Sequence, residues 1–331
     1  MSIDPTASQY RSGKSDSGSA GERPELSIVV PVYRSAGTLD KLQRRVADAM
    51  TELGVSYELI LVEDCGGDNS WSVIQGLAEQ NPNVRGLRLA RNYGQHNALL
   101  AGIRSAEGIW IVTIDDDLQN PPEEIGKLLA KARECYDVVY GKPGKQTHGV
   151  FRDMASTVTK MVLRGAMGAE VATNVSAFRV FRTSLREAFE NYQSPTVNID
   201  VLLTWGTHSY AAIEVLQAER EAGESGYTLR KLITHTMNMM TGFSVLPLQV
   251  ASLAGFIFAV FGLCVIAYVV IRYLIDGSPM PGFPFLASII SLFAGIQLFA
   301  LGIIGEYLAR MHMRSMNRPA YVVADRTDDA S

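Results

Sequence analysis

The amino-acid sequence predicts an α/β fold in which a Rossmann-like domain is followed by an amphipathic juxtamembrane helix and two transmembrane α-helices. Three observations support this. Short apolar runs alternate with helical patterns across 25–228, as in a largely parallel sheet covered by helices. A basic amphipathic pattern covers 229–246, and two long uncharged runs lie within 247–310. The polar, Ser/Gly-rich residues 1–24 are expected to be a disordered tail, and 311–331 a cytoplasmic tail.

The strands and helices of the predicted domain follow from local sequence patterns. Apolar, β-branched runs bounded by turn residues indicate strands buried in a parallel sheet. Apolar residues at helical spacing predict helices over 37–53 and 70–79. The predicted strands are Leu26–Val32, Tyr57–Glu63, Val84–Leu89, 109–114 and 137–140.

The pattern of 227–243 predicts a helix with one apolar and one basic side. Leu229, Leu232 and Met240 share the apolar side, and Arg230 and Lys231 lie on the other. Such a helix fits the surface of a membrane. A helix packed on the sheet would show the same periodicity, so both interpretations stay open.

Two runs without Asp, Glu, Lys or Arg follow, over 236–271 and 277–305. Each exceeds the roughly 20 apolar residues that cross a bilayer, and we expect spans at 247–271 and 283–305. Their length disfavours a buried hairpin of a soluble domain. Basic residues flank the outer ends of the two spans, so both chain termini are expected in the cytoplasm.

Overall composition excludes some classes of protein. The formal net charge of −4 gives no support for nucleic-acid binding. Three scattered cysteines, Cys65, Cys135 and Cys264, indicate a reducing compartment with neither a disulfide framework nor a structural zinc site.

The acidic run that begins at Asp115 is the most informative segment. It follows the predicted strand 109–114 and should therefore lie at the carboxyl edge of the sheet, where α/β proteins bind ligands. Asp115, Asp117 and the Gln119 amide oxygen are hard ligands suited to Mg²⁺ or Mn²⁺. The alternative is an acidic turn without a metal. Asn120 is expected to cap the next helix, with Glu123 at the capping-box position.

The segment Asp-x-Asp-Leu-Gln-x-Pro-Pro-Glu over 115–123 resembles the signature of family 2 glycosyltransferases that act on polyprenyl phosphates. The resemblance extends from about residue 26 to about residue 323. It implies a GT-A fold, a glycosyltransferase activity and a location in the bacterial inner membrane, multi-pass, with the catalytic domain on the cytoplasmic side.

The resemblance also implies a nucleotide pocket. Pro31 and Tyr33 end the first strand, and Asp64 ends the second. A carboxylate such as Asp64 can accept the imide N–H of uracil. Arg91 and Asp116 match further nucleotide-binding positions.

A separate set of residues is expected to bind the phosphate of the lipid acceptor. Arg152 and Ser156 are four residues apart, hence on one face of a helix. They match family positions that hold the lipid phosphate, and Lys142 adds positive charge upstream. A solvated helix face is the alternative for Arg152.

The segment 219–227 resembles a family loop whose arginine, here Arg220, stabilises the departing diphosphate. Two positions depart from the family pattern: Gly226 replaces a lysine, and Ala177 stands where many relatives carry an aspartate. No catalytic base is therefore expected at Ala177.

Together these residues predict one inverting displacement, in which a polyprenyl phosphate oxygen attacks the anomeric carbon of a nucleotide sugar. The resemblance favours a UDP-sugar, with GDP-mannose next. The expected partners are this donor, undecaprenyl or another polyprenyl phosphate and the lipid bilayer; a homo-oligomer is left open. Two alternatives are a processive polysaccharide synthase and an inactive nucleotide-sugar-binding scaffold.

Overall fold

The structure is a computed structural model that describes residues 23–144, 175–194, 196–218, 246–276, 282–316 and 318–330. Within these residues, eight strands form one sheet. The strands are β1 (Leu26–Val32), β2 (Tyr57–Glu63), β3 (Val84–Leu89), β4 (Trp110–Thr113), β5 (Val138–Pro143), β6 (Arg179–Arg182), β7 (Tyr210–Val215) and β8 (Val323–Arg326). Their order across the sheet is β7-β5-β6-β4-β1-β2-β3-β8.

The sheet is mixed. β1 to β4 are mutually parallel, with β1 between β2 and β4. β6 runs antiparallel to both β4 and β5, so β5 and its partner β7 run in the same direction as β1. β8 is antiparallel to β3. A Rossmann-like half is thereby extended at each edge by strands from later in the sequence.

The bounds of β1, β2 and β3 agree with the prediction to the residue. All seven residues of β1 are buried, which is why its apolar run is continuous rather than alternating. β4 is shorter than the predicted strand 109–114, because pairing with β1 begins at Trp110 and Ile109 is half exposed. β5 extends to Pro143, beyond the predicted end at residue 140.

Helices cover both faces of the sheet. They are α1 (Leu39–Leu53), α2 (Ser70–Gln80), α3 (Gln95–Ser105), α4 (Ile125–Arg133) and the short α5 (Ile199–Leu203). α1, α2 and α4 bury apolar side chains against one face, while α3 and α5 cover the other. Gly102 lets α3 approach closely, because a Cβ there would lie 2.4 Å from Cγ1 of Val29.

The predicted helix cap at Asn120 is wrong. Pro121 is extended, and a 3₁₀ turn over Pro122–Glu124 precedes α4, with no side-chain cap. A residue before proline is pushed out of the helical region, so Pro122 delays the helix. Glu123 instead accepts two hydrogen bonds, of 2.9 and 2.7 Å, from the Arg45 guanidinium on α1.

Two long helices, α6 (Leu246–Asp276) and α7 (Phe283–Ser315), follow the sheet. By length and composition both could cross a membrane: mean hydropathy is 2.7 over Leu248–Arg272 and 1.2 over Phe293–His312. They pack on each other, with the rings of Phe258 and Phe293 edge to face at 6.2 Å. The expectation of two apolar C-terminal helices is confirmed. The predicted amphipathic pattern over 227–243 lies outside the described residues.

The segment after α7 returns to the sheet. Residues 311–331, expected as a tail, contain the last turn of α7 and then β8, which pairs with β3. Four residues with the sequence Val-Ala-Asp-Arg carry no strand pattern strong enough to predict this.

Candidate active site

Three non-glycine residues with positive φ lie just beyond the ends of three neighbouring strands. Arg34 (φ 58°) follows β1, Cys65 (φ 53°) follows β2, and Leu118 (φ 60°) lies in the acidic run after β4. Such backbone conformations cost roughly 1–3 kcal/mol each and concentrate at functional sites. Since β4, β1 and β2 are adjacent, the three strained residues lie along one stretch of the carboxyl edge of the sheet.

A cavity of about 280 Å³ opens at this stretch. A larger cavity of about 1090 Å³ lies at the amino-terminal edge, around Glu58 and Arg85. The smaller one is the candidate active site, because open α/β sheets bind ligands at the carboxyl edge and because the predicted acidic residues line it. Its lining residues are Pro31, Val32, Tyr33, Asp64, Asn92, Gly94, Gln95, Asp115, Asp116 and Asp117.

Asp116 connects the acidic run to the loop after β1. Its Oδ2 accepts hydrogen bonds from the Tyr33 backbone N–H at 3.1 Å and from the Ser35 hydroxyl. Burial raises the pKa of Asp116 above its usual value, and the neighbouring Asp117 adds to the rise. Asp116 therefore holds the loop that carries Tyr33, a cavity-lining residue that is 46% exposed.

Asp115 and Asp117 accept hydrogen bonds from groups outside the loop that follows β1. Nε2 of Gln95, the first residue of α3, donates a 2.7 Å hydrogen bond to Oδ1 of Asp115. The Gln119 backbone N–H donates to Oδ1 of Asp117 at 3.1 Å, a local turn that the reversed backbone at Leu118 makes possible. Both carboxylates line the same cavity.

Asp64 fixes the loop between β3 and α3. Its two carboxylate oxygens each accept a 2.7 Å hydrogen bond, one from the Tyr93 N–H and the other from the Gly94 N–H. Burial raises its pKa, although these two hydrogen bonds oppose the rise. A carboxylate has about four acceptor positions, so Asp64 can shape this loop and still face a ligand in the cavity.

The donor set suits a divalent cation that is shared with a substrate. Among the described residues, no three His, Cys, Asp or Glu side chains form a group able to hold a metal by themselves. Mg²⁺ is typically bound by one or two carboxylates together with substrate phosphates rather than by a complete protein cage. Asp115 and Asp117, on one cavity wall, fit that arrangement.

The other predicted site residues lie elsewhere. Gln119 is not part of the cavity lining; its backbone carbonyl accepts a 2.9 Å hydrogen bond from the Ala218 N–H. Arg91 is exposed, with its guanidinium 4.6 Å from the centroid of the Tyr93 ring. Lys142 lies at the carboxyl end of β5, in register with Glu214 of β7. Three predicted residues lie outside the described part of the chain: Arg152, Ser156 and Arg220.

Sequence reasoning missed Gln95, Asn92 and Ser35, which contribute to the cavity or hold its acidic residues. The position of Gln95 at the start of a helix could have indicated its role. Gly94 has φ 93° and ends the loop at the point where α3 begins. A side chain in the first turn of a helix after a parallel strand faces the carboxyl edge, where the acidic run lies.

Comparison with known proteins identifies the family of this chain. Residues 27–192 match the profile described as Glycosyl transferase family 2. This chain belongs to that family. A curated relative from Serratia proteamaculans is 35% identical over 90% of this chain and 93% of its own, and one from Shewanella sediminis is 35% identical over 91% and 92%. Both are named undecaprenyl-phosphate 4-deoxy-4-formamido-L-arabinose transferase.

Membership of glycosyl transferase family 2 confirms the predicted resemblance, the GT-A-like fold and the assignment as a glycosyltransferase. Among solved structures, S. aureus TarS 1–349 in complex with UDP-GlcNAc aligns at 18% identity and TM-score 0.46, covering 66% of this chain and 65% of that one. Glucosyl-3-phosphoglycerate synthase from Mycobacterium tuberculosis aligns at 17% identity and TM-score 0.49, covering 66% and 76%. Similarity at this level transfers no residue roles.

Proposed function

We propose that this glycosyltransferase moves one monosaccharide from a nucleotide sugar to a polyprenyl phosphate in a membrane. The observation that carries the proposal is the cavity at the carboxyl edge, where Asp115 and Asp117 lie in a chain that also has two apolar helices of spanning length. The cavity suits a charged, soluble donor, and the helices suit an acceptor dissolved in lipid. The names of the curated relatives support undecaprenyl phosphate as this acceptor.

The nucleotide of the donor is expected between Tyr33 and Asp64. The exposed Tyr33 ring at the rim offers a flat apolar surface for a base, and the Asp64 carboxylate offers an acceptor for a base N–H. An imide N–H is a donor that uracil presents to such an acceptor, so UDP-sugars are the first choice. GDP-mannose is the second.

Asp115 and Asp117, which line the cavity, would hold Mg²⁺ or Mn²⁺. Gln119, the third ligand predicted from the sequence, lies outside this lining. When bound, such a cation would counter the charge of the departing nucleoside diphosphate. Arg220 is predicted to add positive charge there. Asp116, turned towards Tyr33 and Ser35, keeps the loop of β1 in place beside the cavity.

The reaction needs positioning more than acid–base chemistry. A phosphate monoester has a second pKa near ~6 and is largely ionised at neutral pH. Its oxygen attacks the anomeric carbon, a new C–O bond forms, and the bond to the diphosphate breaks with inversion. Ala177 stands where the family pattern that this sequence resembles has aspartate, which is consistent with a mechanism that lacks a base at that position. Arg152, Ser156 and Lys142 are predicted to bind the acceptor phosphate.

The proposed topology places the catalytic domain and both termini in the cytoplasm, with α6 and α7 crossing the bacterial inner membrane. Basic residues flank the two helices on their outer ends, as the positive-inside rule requires. Protease digestion of tags at each terminus in sealed, right-side-out cells tests this topology. Cleavage of either tag from outside would contradict it.

A radiolabel transfer assay tests the function. The purified enzyme is given undecaprenyl phosphate and each of a panel of nucleotide sugars that includes a UDP-linked 4-formamido-arabinose. We expect one labelled, lipid-soluble product carrying a single sugar. Label in a growing polymer would favour a processive synthase, and donor binding without transfer to any acceptor would favour an inactive scaffold.

A further inference from the structure

The two membrane-spanning helices are inserted between the two outermost strands of the sheet. In the part of the chain that the structure describes, β7 is the last strand before α6 and forms one edge of the sheet. β8 is the first strand after α7 and forms the opposite edge. The catalytic sheet is therefore connected to the helix pair at both edges, by two separate segments of chain.

Both connections leave from the edge that carries the active site. β7 runs parallel to β1 and ends at the carboxyl edge, and shortly after it the Ala218 N–H donates a 2.9 Å hydrogen bond to the Gln119 carbonyl in the acidic run. β8 is antiparallel, so it begins at that edge; the Ala90 N–H, just after β3, donates to the Val322 carbonyl at 2.9 Å. The catalytic cavity lies between these two attachment points.

β8 is firmly joined to β3. The Gly86 N–H donates to Thr327 Oγ1 at 2.9 Å, and the Thr327 N–H donates back to the Gly86 carbonyl at 3.1 Å. Asp328 forms a 2.9 Å ion pair with Nε of Arg85. Upstream, Ala320 is 3% exposed in the core beneath α3. Hydrogen bonds, an ion pair and apolar burial together oppose release of this strand.

We propose that β8 is a positioning strand that keeps the active-site edge facing the bilayer. The proposal rests on the function proposed above, because it concerns access to an acceptor in lipid. α7 ends at Ser315 and β8 is joined to the sheet from Val322. The carboxyl edge therefore lies within roughly 25 Å of the end of α7, the longest distance that the intervening residues could span. Pairing of β8 with β3 therefore limits how far the active-site edge can move from the end of α7.

Attachment at two points should matter only for an acceptor that is confined to the bilayer. A second tether raises the effective concentration of the tethered groups without adding any contact to the reactants. Loss of β8 pairing should therefore reduce use of undecaprenyl phosphate in vesicles. A short-chain, water-soluble prenyl phosphate reaches the cavity from any direction, so its use should not change.

The test uses the full chain with Thr327→Pro and Asp328→Ala, which remove both hydrogen bonds between Gly86 and Thr327 and the ion pair between Arg85 and Asp328. Ala324→Ser, at an exposed position of the same strand, is the matched control. For the double variant we expect kcat/KM for vesicle-embedded undecaprenyl phosphate to fall by about tenfold or more, the order that a lost tether produces. The value for the soluble acceptor should stay within about twofold, as should both values for the control.

A second variant separates a lost tether from damage to the fold. Arg88 and Asp325 are directly opposed on β3 and β8, so an Arg88→Cys/Asp325→Cys pair lies within the usual range for a disulfide. Oxidation of this pair in the Thr327→Pro/Asp328→Ala background should restore use of the embedded acceptor. Equal losses for both acceptors, or no loss for either, would overturn the proposal. If the unmodified enzyme transferred sugar to neither acceptor, the proposed function would fail, and this inference with it.

Discussion

Gln95 and Asp115, which both line the cavity, are joined by a 2.7 Å hydrogen bond from Nε2 of Gln95 to Oδ1 of Asp115, between α3 and the acidic run. Through this bond α3, a helix that covers one face of the sheet, fixes one carboxylate oxygen of Asp115, a predicted metal ligand. Packing of α3 against β1, which Gly102 permits, is thereby coupled to the orientation of the carboxylate.

Gln95→Ala should weaken metal binding more than nucleotide binding. Without the amide donor, Asp115 loses its fixed orientation, and a misplaced ligand costs affinity by roughly 10- to 100-fold in comparable sites. Titration of Mn²⁺ in the presence of UDP, followed by electron paramagnetic resonance, measures this directly. Gln75→Ala, at an exposed position of α2, is the control. Unchanged Mn²⁺ affinity in Gln95→Ala would show that the bond does not orient the ligand.

Asp117→Asn should abolish turnover and weaken metal-dependent nucleotide binding, because one hard ligand loses its charge. Asp48→Asn removes the same charge from an exposed position of α1 and should behave as the unmodified enzyme. Turnover and calorimetric binding of the nucleotide, each with and without Mn²⁺, check the prediction. Near-normal activity of Asp117→Asn at saturating Mn²⁺ or Mg²⁺ would refute the metal assignment.

Asp116→Asn should stabilise the fold increasingly as the pH rises. Because burial holds the pKa of Asp116 above its ordinary 3.8, the folded protein binds its proton more readily than the unfolded chain does. The unmodified protein therefore loses stability as the pH rises from the ordinary pKa of an aspartate to the higher pKa of Asp116 in the folded protein. Both hydrogen bonds of Asp116 fall on Oδ2, so an amide oxygen can keep them. Thermal unfolding in detergent, from about pH 3 to about pH 7, should show the gain in Tm growing and then levelling off.

Glu123→Gln should change the dependence of stability on pH in the opposite direction to Asp116→Asn. The hydrogen bonds from Arg45 hold the pKa of Glu123 below its ordinary 4.5, so this carboxylate contributes stability above that value, which is lost as the pH falls through the folded pKa. The variant should have a lower Tm at neutral pH, and the difference should vanish in acid. Parallel pH profiles for Glu123→Gln and Asp116→Asn would contradict both assignments.

The sequence predicted the central strands and the acidic edge, because these depend on local patterns. β1 and β2 are uninterrupted apolar runs, and the position of Asp115 after such a run is sufficient to place it at the carboxyl edge. The prediction of a helix cap at Asn120 was wrong because Pro122 keeps the residue before it, Pro121, out of the helical conformation. β8 could not be predicted: its pairing depends on β3, more than two hundred residues away in sequence, and its own four residues carry little apolar signal.

Arg152→Ala should impair use of the lipid and leave nucleotide binding unchanged, since the acceptor phosphate must approach from the side opposite the diphosphate. We expect kcat/KM for undecaprenyl phosphate to fall by an amount equivalent to roughly 1.5–3 kcal/mol, the usual range for a hydrogen bond to a charged group. Arg44→Ala, at an exposed position of α1, is the control. Weaker nucleotide binding with an intact lipid KM would mean that the two phosphate sites are assigned the wrong way round.

The buried pair of Arg179 and Asp200 should be the most sensitive ion pair among the described residues. Arg179, on β6, is 1% exposed; its guanidinium contacts the Asp200 carboxylate on α5 and donates from Nε to Thr113 Oγ1 at 3.0 Å. Arg179→Met leaves a buried carboxylate without its counter-charge, which typically costs about 3–5 kcal/mol. Thermal unfolding in detergent should show a correspondingly large fall in Tm.

Two comparisons distinguish the loss of the charge partner from the loss of packing. Because an apolar replacement of a whole buried pair is often neutral, adding Asp200→Leu to Arg179→Met should recover most of the lost Tm. Arg182, on the same strand, pairs with Asp137 at 3.2 Å but is 42% exposed, so Arg182→Met should cost about 1 kcal/mol or less. If Arg179→Met with Asp200→Leu were as unstable as Arg179→Met alone, the damage would come from the lost volume and the Thr113 contact. The unpaired carboxylate would then not be its cause.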